Sequence, residues 1–558
     1  MALTFNILAV LVGTAVTFAL TPRLFRLIGR VTGSHIRSTT QQRRELLLRR
    51  AATEAKEERE GEGEKPASSS TSVDDEWEKV NEGEKTPTAE GKHTPSDTAD
   101  FSGVIGFFHP FCNAGGGGER VLFAAILATQ QRYPNALCVV YTGDHDASKE
   151  QIIGNVRTRF NIDLKPARIC FLYLSTREYV LASKWPHFTL LGQSIGSLIL
   201  GWEAFNLLAP DICIDTMGYA FTLALSKWLF PNVPTGAYVH YPTISTDMLS
   251  SLQDDVAGRG LNAGLGKGLK GKLKQVYWEL FAKLYSWIGG SVDIVMTNSS
   301  WTQNHITRLW SGPRAQRKKQ HPISVVYPPC AVAELQSKIP LGSDAASDKK
   351  QRTRNLLYIA QFRPEKMHHV IIDAFHAFLK TYKHLSESEP KPNLILIGSV
   401  RDDHDAQRVY KLRLQAQSIK DSVQFVVNAK WPQILEYLRT SSVGVNGMWS
   451  EHFGIGVVEY QAAGLISVVN DSGGPKEDIV VEVDGKPTGF HASTPEEFAA
   501  GFAKALELSD EEAFAMRQRA RKSSWRFSEQ VFSEAWTGQL ERLVELVGDP
   551  RLLKIAKA

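Results

Sequence analysis

Short apolar runs alternate with longer helical stretches from Gly103 onwards. Each run ends in turn residues, as in GVIGFFHP and ALCVVYTGD, and the stretch between these two, ERVLFAAILATQQRY, is helical in character. This alternation is typical of parallel strands that are joined by helical crossovers. The same pattern predicts four further strands in the first half of the chain: ARICFLYL, DICIDT, TGAYVHYP and DIVMTNS.

A second and independent series of apolar runs begins at Asn355: NLLYIAQF, PNLILIGS, VQFVVN, SVGVN and LISVVN. The polar stretch 341–354 separates the two series and is typical of an interdomain linker. We therefore predict an α/β protein with two Rossmann-like domains, at residues 101–340 and 350–525, followed by a C-terminal helix at residues 526–558. Two such domains in tandem form a cleft between the carboxyl ends of their sheets, where ligands of this fold class bind.

The N-terminal segment has a different pattern. Residues 3–20 hold no charge, and Arg23, Arg26 and Arg30 follow directly. As a helix, roughly 18 residues at about 1.5 Å each reach roughly 27 Å, close to the thickness of a hydrocarbon core. A cleaved signal peptide is the alternative, but the basic residues follow the apolar run instead of preceding it. We predict a transmembrane anchor at residues 1–22, with the rest of the chain in the cytosol by the positive-inside rule.

Residues 31–100 are polar, with charged and serine-rich runs such as KEEREGEGEK and SSSTS. Such a segment has little to bury and cannot offset the entropy of ordering. We therefore predict a disordered tether between the anchor and the first domain.

Three stretches of the first domain are unusually apolar: residues 188–210, 220–230 and 267–288. The last joins five lysines to aromatic and aliphatic positions at helical spacing. It resembles an interfacial helix, in which lysines meet anionic headgroups and aromatic rings meet the acyl boundary. The rings expected there are Trp278, Phe281, Tyr285 and Trp287. Ordinary buried helices of a large domain are the alternative.

Composition limits the classes of function. The hydrophobic share of 43% allows large cores, and a net charge of +4 over 558 residues does not indicate a nucleic-acid binder, which shows a concentrated basic face. The five cysteines are scattered and form no C-x-x-C pair, so neither a zinc site nor a disulfide framework is indicated. Asn298, Ser299 and Ser300 match a glycosylation sequon, which a cytosolic location would leave unused.

The strongest candidate for a site is WSEHFGIGVVE, residues 449–459, between a predicted strand and a predicted helix. The helix N-terminus offers unpaired N–H groups and a positive dipole end, which suits a diphosphate or a sugar hydroxyl. We predict Glu451 in the loop that faces the cleft. Glu459 is expected about one turn inside the helix, where a carboxylate can accept hydrogen bonds from both hydroxyls of a ribose. The candidate donor-binding residues at the helix start are Phe453, Gly454 and Ile455.

The run AQFRPEK, just after the first strand of the second domain, supplies Arg363 and Lys366. A leaving nucleoside diphosphate gains negative charge as a glycosidic bond breaks, and positioned cations stabilise it. Losing one such donor typically costs about 2.7–4 kcal/mol in the transition state. A surface arginine and lysine with no catalytic role is the alternative.

Three further loops end strands of the two domains. Glycines that follow the first strand let a backbone approach a ligand without interference from Cβ and expose N–H groups. YVHYP places His240 at another strand end, and DSGGPKE follows LISVVN in the second domain. The candidate glycines in these loops are Gly115, Gly116, Gly117, Gly118, Gly473 and Gly474.

At these residues the sequence resembles the retaining GT-B glycosyltransferases of family 4, from Gly103 to the C-terminus. The resemblance implies that Glu451 contacts the donor sugar and Glu459 the donor ribose. It implies that Lys366 holds the donor pyrophosphate, together with an arginine. The usual arginine position is Gln361 in this chain, so Arg363, two residues later, departs from the pattern.

The resemblance also implies roles for the remaining loops. In similar enzymes a histidine at the place of His240 lies against the donor sugar, so His240 is a candidate for positioning sugar or acceptor. The loop with Gly473 and Gly474 lies on the donor side. We find no D-x-D metal motif at a strand end, so we predict that no metal or other cofactor is needed, with Lys366, Arg363 and helix dipoles in its place.

Within this family, several motifs look closely like those of eukaryotic α-1,2-mannosyltransferases of asparagine-linked glycan assembly: HPFCNAGGGGERVL, YVHYPTIS, TNSSWT, QFRPEKMH and SEHFGIGVVEYQAAG. This resemblance implies GDP-mannose as the donor and dolichyl-pyrophosphate-linked Man3GlcNAc2 as the acceptor. It also implies the cytosolic face of the endoplasmic reticulum, with membrane lipid and other mannosyltransferases of the pathway as partners. Two alternatives stay open: another nucleotide-sugar-to-lipid transferase of the same fold, and a catalytically silent membrane scaffold.

Overall fold

Two parallel β-sheets form the centres of two α/β domains, as the alternation predicts. The computed structural model describes residues 23–58, 60, 101–252 and 268–548, and its first helix runs from Ala2 to Gly63. The strands are β1 (Val104–Phe108), β2 (Leu137–Thr142), β3 (Ile169–Tyr173), β4 (Ile212–Asp215), β5 (Thr235–Val239), β6 (Ile294–Thr297), β7 (Ile323–Val325), β8 (Leu356–Ile359), β9 (Leu394–Gly398), β10 (Val423–Val427), β11 (Val443–Asn446), β12 (Ile466–Asn470), β13 (Glu482–Val483), β14 (Lys486–Pro487) and β15 (Gly489–Ala492).

Helices cover both faces of each sheet. They are α1 (Ala2–Gly63), α2 (Gly117–Arg132), α3 (Lys149–Phe160), α4 (Thr189–Leu207), α5 (Ala220–Leu229), α6 (Thr246–Ser251), α7 (Gly268–Gly289), α8 (Ser300–Gln316), α9 (Val332–Lys338), α10 (Ala345–Gln351), α11 (His368–Thr381), α12 (Lys383–Ser386), α13 (Asp403–Gln415), α14 (Trp431–Thr440), α15 (Ile455–Ala463), α16 (Pro495–Glu507), α17 (Asp510–Ser524) and α18 (Glu529–Glu545). All eleven strands that the apolar runs predict are present; β7 and β15 are additional edge strands.

The strand order reverses once in each sheet. The first sheet has the order β3-β2-β1-β4-β5-β6-β7 and the second the order β10-β9-β8-β11-β12-β15. The reversals lie between β1 and β4 and between β8 and β11, and open α/β sheets bind ligands beside such points. The glycine loop follows β1, Lys366 follows β8 and Glu451 follows β11. The topology therefore brings the predicted site loops to the two reversal points.

The last helix, α18, returns to the first domain. Its residues Trp536, Leu540 and Leu543 belong to the same buried cluster as the inner face of the first sheet. Trp536 Nε1 donates to Thr129 Oγ1 of α2 at 3.2 Å. The chain thus crosses between the domains twice, which ties their relative position more firmly than one linker would.

The prediction of a disordered tether from residue 31 is wrong for residues 31–58. These residues continue α1, which lies on the first domain with Ile36 and Ala51 buried. The Arg44 guanidinium donates to both carboxylate oxygens of Asp211 at 2.8 and 2.7 Å. This helix has an apolar stripe at helical spacing among its charged residues, and the stripe packs against the folded first domain. The rest of the predicted tether, residues 64–100, lies outside the described residues.

Among the described residues, no helix combines the length and the apolar character that crossing a membrane requires. The predicted anchor at residues 1–22 lies outside those residues. The three apolar stretches of the first domain form α4, α5 and most of α7. The expectation for the rings of α7 is wrong in part, because Trp278, Phe281 and Tyr285 are buried in the core. Trp287 is 60% exposed.

The predicted linker at 341–354 contains a helix that belongs to the second domain. Asp348 of α10 is fully buried and accepts a hydrogen bond from Arg517 Nη1 at 2.8 Å. A polar sequence is therefore ordered here because its charge has a buried partner, which is more than 160 positions away along the chain.

Candidate active site

Lys366 and Glu451 form a close ion pair at the reversal point of the second sheet. Lys366 ends a short 3-10 turn, Pro364–Lys366, and its Nζ donates to Glu451 Oε2 at 2.5 Å. The Lys366 Nζ also lies 3.1 Å from Met448 Sδ. Burial raises the pKa of Glu451, but the Lys366 ammonium more than offsets this and holds the pKa below its ordinary value. Glu451 is therefore ionised at neutral pH, beside a cation that can also bind a diphosphate.

Arg363 does not join this pair. It precedes the turn, and its Nη1 lies 3.8 Å from Glu365 Oε1, with about a third of the side chain exposed. The Arg363 Nε is buried and has no hydrogen-bond partner. The two cations predicted from AQFRPEK thus differ: Lys366 is fixed on a carboxylate, whereas Arg363 has a looser partner and unused donor capacity.

Helix α15 starts directly beside this pair. Gly454 caps the helix with a φ of 106°, a conformation that side chains other than hydrogen rarely adopt. A Cβ built on Gly456 would lie 3.7 Å from the carbonyl oxygen of Ile359, at the end of β8. The start of α15 therefore lies against the end of β8, and the Glu451 that Lys366 holds is three residues before Gly454, so a positive helix end and a cation belong to the same loop region.

Glu459 lies one turn inside α15. Burial raises the pKa of its carboxyl group to about 7, with a partial opposing effect from Arg120. No hydrogen bond stabilises the charged form among the described residues. A carboxylate in this state gains from any ligand that donates hydroxyl hydrogen bonds to it.

Three of the predicted donor-binding residues near Glu451 pack against other parts of the protein. The side chain of Phe453 is 3% exposed and packs on Phe527 with ring centroids 5.3 Å apart, so only its backbone can meet a ligand. A Cβ on Gly473 would lie 2.3 Å from the carbonyl oxygen of Glu451, and one on Gly474 would lie 2.6 Å from Phe453 Cα. These two glycines let one loop support the backbone of the other, and Gly474 N donates to Glu451 O at 2.8 Å.

The glycine loop of the first domain faces α15 across the cleft. A Cβ on Gly117 would lie 2.8 Å from Ile455 Cδ1, and one on Gly118 would lie 3.8 Å from His240 Nε2. Gly115 has a φ of 80°, which favours glycine. Gly116 N donates to Glu119 Oε2 at 2.5 Å, which satisfies the start of α2. The close approach of the two domains at Gly117 and Ile455 is therefore possible only without a large side chain.

His240 directly follows β5, as the sequence predicts, and it lies beside the glycine loop. Its Nε2 is 3.1 Å from the carbonyl oxygen of Thr216. A carbonyl oxygen only accepts, so Nε2 carries the proton and Nδ1 is left as an acceptor. Burial is the main cause that lowers the pKa of His240, to about 4, so the ring is neutral at physiological pH.

Sequence reasoning missed His109, the residue that directly follows β1. His109 is fully buried, its Nδ1 is 2.7 Å from Thr216 Oγ1, and its Nε2 is 3.7 Å from Glu119 Oε1. It links the glycine loop to the strand end that holds His240. Its place after a predicted strand, as the first residue of HPFC, was the only signal.

Sequence reasoning also missed Asp478, which joins the two domains. Its Oδ2 accepts from Ser300 N, at the start of α8, and its Oδ1 accepts from Tyr327 OH, both at 2.9 Å. Asn298, the sequon residue just before α8, is buried. The segment that matches a glycosylation signal is therefore part of the interdomain contact.

No group of three or more histidine, cysteine, aspartate or glutamate side chains among the described residues is arranged to hold a metal ion. All five cysteines are free, and four of them are buried. The charged groups that the described part of the site offers to an anionic ligand are Lys366, Arg363 and the start of α15.

Two family models match the chain in succession. The model described as ALG11 mannosyltransferase N-terminus matches residues 102–310, and that described as Glycosyl transferases group 1 matches residues 343–523. A relative in Neurospora crassa, named GDP-Man:Man(3)GlcNAc(2)-PP-Dol alpha-1,2-mannosyltransferase, is 56% identical over 94% of each chain. A human relative of the same name is 45% identical over 79% of this chain and 87% of its own.

Solved structures of low sequence identity share the fold. Anabaena HepE in complex with UDP and glucose superposes with a TM-score of 0.50 at 16% identity, over 78% of this chain and 98% of its own. An Escherichia coli protein bound with UDP-2-fluoro glucose superposes with a TM-score of 0.54 at 13% identity, over 78% and 99%. The predicted GT-B fold is confirmed. Since its two halves match the two family models and its relatives cover most of its length, the chain belongs to the ALG11 mannosyltransferase family of GT-B glycosyltransferases.

Proposed function

We propose that the protein transfers mannose from GDP-mannose, in α-1,2 linkage, to dolichyl-pyrophosphate-linked Man3GlcNAc2, giving Man5GlcNAc2. The names of its relatives in Neurospora crassa and in humans support the donor, the acceptor and the linkage. The observation that carries the proposal is the Lys366–Glu451 pair at the start of α15, opposite His240. A silent scaffold would not need an ionised carboxylate and a cation held together at a strand reversal point.

The second domain binds and activates the donor. Lys366 stabilises the charge that develops on the leaving diphosphate, and the start of α15 adds its N–H groups. Arg363 reaches the same diphosphate with its free donor capacity. Glu451 holds a hydroxyl of the donor sugar, and Glu459 accepts hydrogen bonds from the ribose.

The transfer proceeds on one face of the sugar, with retention. The bond between the anomeric carbon and the diphosphate oxygen breaks, and the acceptor hydroxyl oxygen forms its bond on the same face. The departing phosphate oxygen takes the hydroxyl proton, so the products are the α-linked mannoside and GDP. The neutral His240 accepts a hydrogen bond through Nδ1 and orients a sugar hydroxyl; it does not act as a charged acid.

The reaction needs no divalent cation in this proposal. Lys366, Arg363 and the dipole of α15 supply the positive charge that a metal ion supplies in other glycosyltransferases. This arrangement predicts that transfer continues in the presence of EDTA.

The first domain meets the cytosolic face of the endoplasmic reticulum membrane. Exposed apolar side chains lie on α1, α4 and α7. Phe25 of α1 stacks on Trp228 of α5, and Phe188 at the start of α4 contacts Tyr277 of α7. Lysines of α7 lie among these side chains, as in helices that bind at the headgroup boundary. The exposed apolar residues are Leu24, Phe25, Leu27, Ile28, Val31, Phe188, Ile195, Ile199, Trp202, Leu269, Leu273, Val276, Leu280 and Trp287. A lipid-linked acceptor is delivered most directly to a domain that binds the membrane in this way, and a single-pass anchor at residues 1–22 would add to the binding.

The proposal is tested by transfer from radiolabelled GDP-mannose to lipid-linked Man3GlcNAc2 with EDTA present, for the wild type and Glu451→Ala. We expect labelled product from the wild type only, and its removal by an α-1,2-specific mannosidase. UDP-glucose and UDP-N-acetylglucosamine serve as competing donors. Transfer from a UDP-sugar but not from GDP-mannose would contradict the donor assignment, and nucleotide-sugar binding without any transfer would favour the scaffold.

A further inference from the structure

His452, the neighbour of Glu451, is held by the first domain in two ways. Its ring stacks on that of Tyr241, with centroids 3.9 Å apart and planes at 19°. Its carbonyl oxygen accepts a hydrogen bond from Ser299 Oγ at 2.6 Å. Both contacts cross the domain boundary and lie one residue from the carboxylate that Lys366 holds.

The Ser299 hydroxyl forms hydrogen bonds both within its own helix and with a loop of the second domain. It is the N-cap of α8, where its oxygen accepts from Thr302 N at 3.1 Å. His452 O at 2.6 Å is the nearest acceptor for the hydroxyl proton, ahead of Thr302 Oγ1 at 3.1 Å and Asn298 Oδ1 at 3.3 Å, so this fully buried hydroxyl both donates and accepts. Trp301 extends the stack, with its ring 5.6 Å from His452 at 17°. The start of α8 therefore contacts the His452 loop of the second domain directly.

The Glu451 loop depends on support from outside. Ser450 has a φ of 52°, which is unfavourable for a residue other than glycine and persists only where neighbours hold it. Its own domain supplies one side: Ser450 N donates to Ser472 Oγ at 2.7 Å, and Gly474 N donates to Glu451 O. Tyr241 and Ser299 of the first domain supply the other side.

The neutral state of His452 suits this contact. Burial lowers the pKa of His452 to about 4, although Glu451 opposes the shift. A neutral ring stacks on Tyr241 without adding a second positive charge beside Lys366. The contact between His452 and Tyr241 therefore adds no charge next to the Lys366–Glu451 ion pair.

We propose that Tyr241, Ser299 and His452 form an interdomain clasp, in which the first domain positions the Glu451 loop on closure. The proposal rests on the proposed function, because it assigns these three as positioning residues for the same transfer. The donor binds to the second domain with or without the clasp, and Glu451 takes its catalytic position only when the clasp is formed. Loss of the clasp therefore lowers kcat and leaves donor affinity nearly unchanged.

The first test compares Tyr241→Leu with Tyr241→Phe, which keeps the stacking ring. We expect Tyr241→Leu to lower kcat about 10-fold, with the Kd for GDP within about twofold of the wild type, as for a step that completes the site on closure. Tyr241→Phe restores kcat to within about twofold of the wild type. Equal kcat values for Tyr241→Leu and the wild type would overturn the clasp, as would equal losses in Tyr241→Leu and Tyr241→Phe.

The second test separates the clasp from helix capping. Ser299→Ala removes both roles, whereas Ser148→Ala removes an N-cap of α3 that touches only its own domain. Asn304→Ala removes another interdomain hydrogen bond, to Glu477, which does not touch His452. We expect a kcat loss of about 10-fold in Ser299→Ala and less than about twofold in the two controls. A similar loss in Ser148→Ala would reduce Ser299 to a stabilising cap and overturn its role in the clasp.

Amide hydrogen exchange gives a readout without turnover. With GDP bound, we expect residues 449–454 to exchange faster in Tyr241→Leu and Ser299→Ala than in the wild type, and at the wild-type rate in Tyr241→Phe. Unchanged exchange in all variants would overturn the clasp. Absence of mannosyl transfer by the wild type would overturn the proposed function. Equal transfer by the wild type and Tyr241→Leu would overturn only the clasp.

Discussion

The reversal points of the two sheets have the same topology and opposite chemistry. The second carries an ion pair, Lys366 with Glu451, at the start of a helix. The first carries four glycines, with the neutral His240 beside them at the end of β5, and its carboxylate Glu119 accepts from the backbone of Gly116. The second domain thus lines the cleft with a charged pair, which we call the charged wall. The first domain lines it with glycines that allow a close approach of the backbone, which we call the glycine wall.

This difference indicates a division of labour within one fold. A wall with a cation and a helix start can stabilise a leaving diphosphate, whose charge grows in the transition state. A wall without large side chains can come close to the donor sugar and still admit an acceptor. Similar folds alone do not determine which wall takes which task; the side chains at the two reversal points do.

Lys366→Ala is the strongest test of the charged wall. We expect kcat to fall on the order of 100-fold to 1,000-fold, since the leaving group loses its positioned cation and Glu451 loses its partner. The measurement is steady-state transfer of labelled mannose at saturating acceptor. The matched control is Lys349→Ala, which removes an exposed ion pair with Asp510 on the same domain and should change kcat less than about twofold. Near-normal turnover in Lys366→Ala would show that charge on this wall is not what drives the reaction.

Gly117→Val tests the close approach of the glycine wall. A Cβ at this position would lie 2.8 Å from Ile455 Cδ1, so a branched side chain should hold the domains apart. We expect kcat/KM to fall about 10-fold while the Kd for GDP stays within about twofold. Gly154→Val is the control, because Gly154 lies in a helix of the same domain with open space around it. If both variants transfer mannose equally well, the narrow gap at Gly117 has no role in turnover.

Glu459→Gln tests the charged wall through the pH dependence of GDP binding. The pKa of Glu459 is raised to about 7, and only the ionised form accepts two ribose hydroxyls, so GDP affinity should increase as pH rises from 6 to 8. The expected increase is about 5–10-fold for the wild type and absent in Glu459→Gln, as measured by calorimetry. Glu334→Gln should move the midpoint to lower pH, since the Glu334 charge contributes to the raised pKa. Wild-type affinity that decreases with pH would contradict the role of Glu459 at the ribose.

Several parts of the site could be predicted from the sequence. The positions of Lys366, Glu451, Gly454 and Glu459 after a strand or near the start of a helix are confirmed, because local periodicity and turn residues set them. The sequence did not predict that Phe453, Gly473 and Gly474 pack against other protein segments. Their neighbours come from other segments, and a motif does not record which side of its own loop faces the ligand.

The two-domain α/β architecture, the strands and the chemical character of the main site loops could be predicted from the amino-acid sequence, because these depend on periodicity and on residues close along the chain. Tertiary structure decided that α1 is a packed helix up to residue 58, that Asp348 and Asp478 have buried partners, and that Tyr241 meets His452. Each of these depends on pairs far apart in the chain, whose contact free energy appears only once both domains have folded. From the sequence alone, a polar segment with an apolar stripe is therefore easily taken for a tether. In the same way, a charged segment whose partner is distant along the chain is taken for a linker.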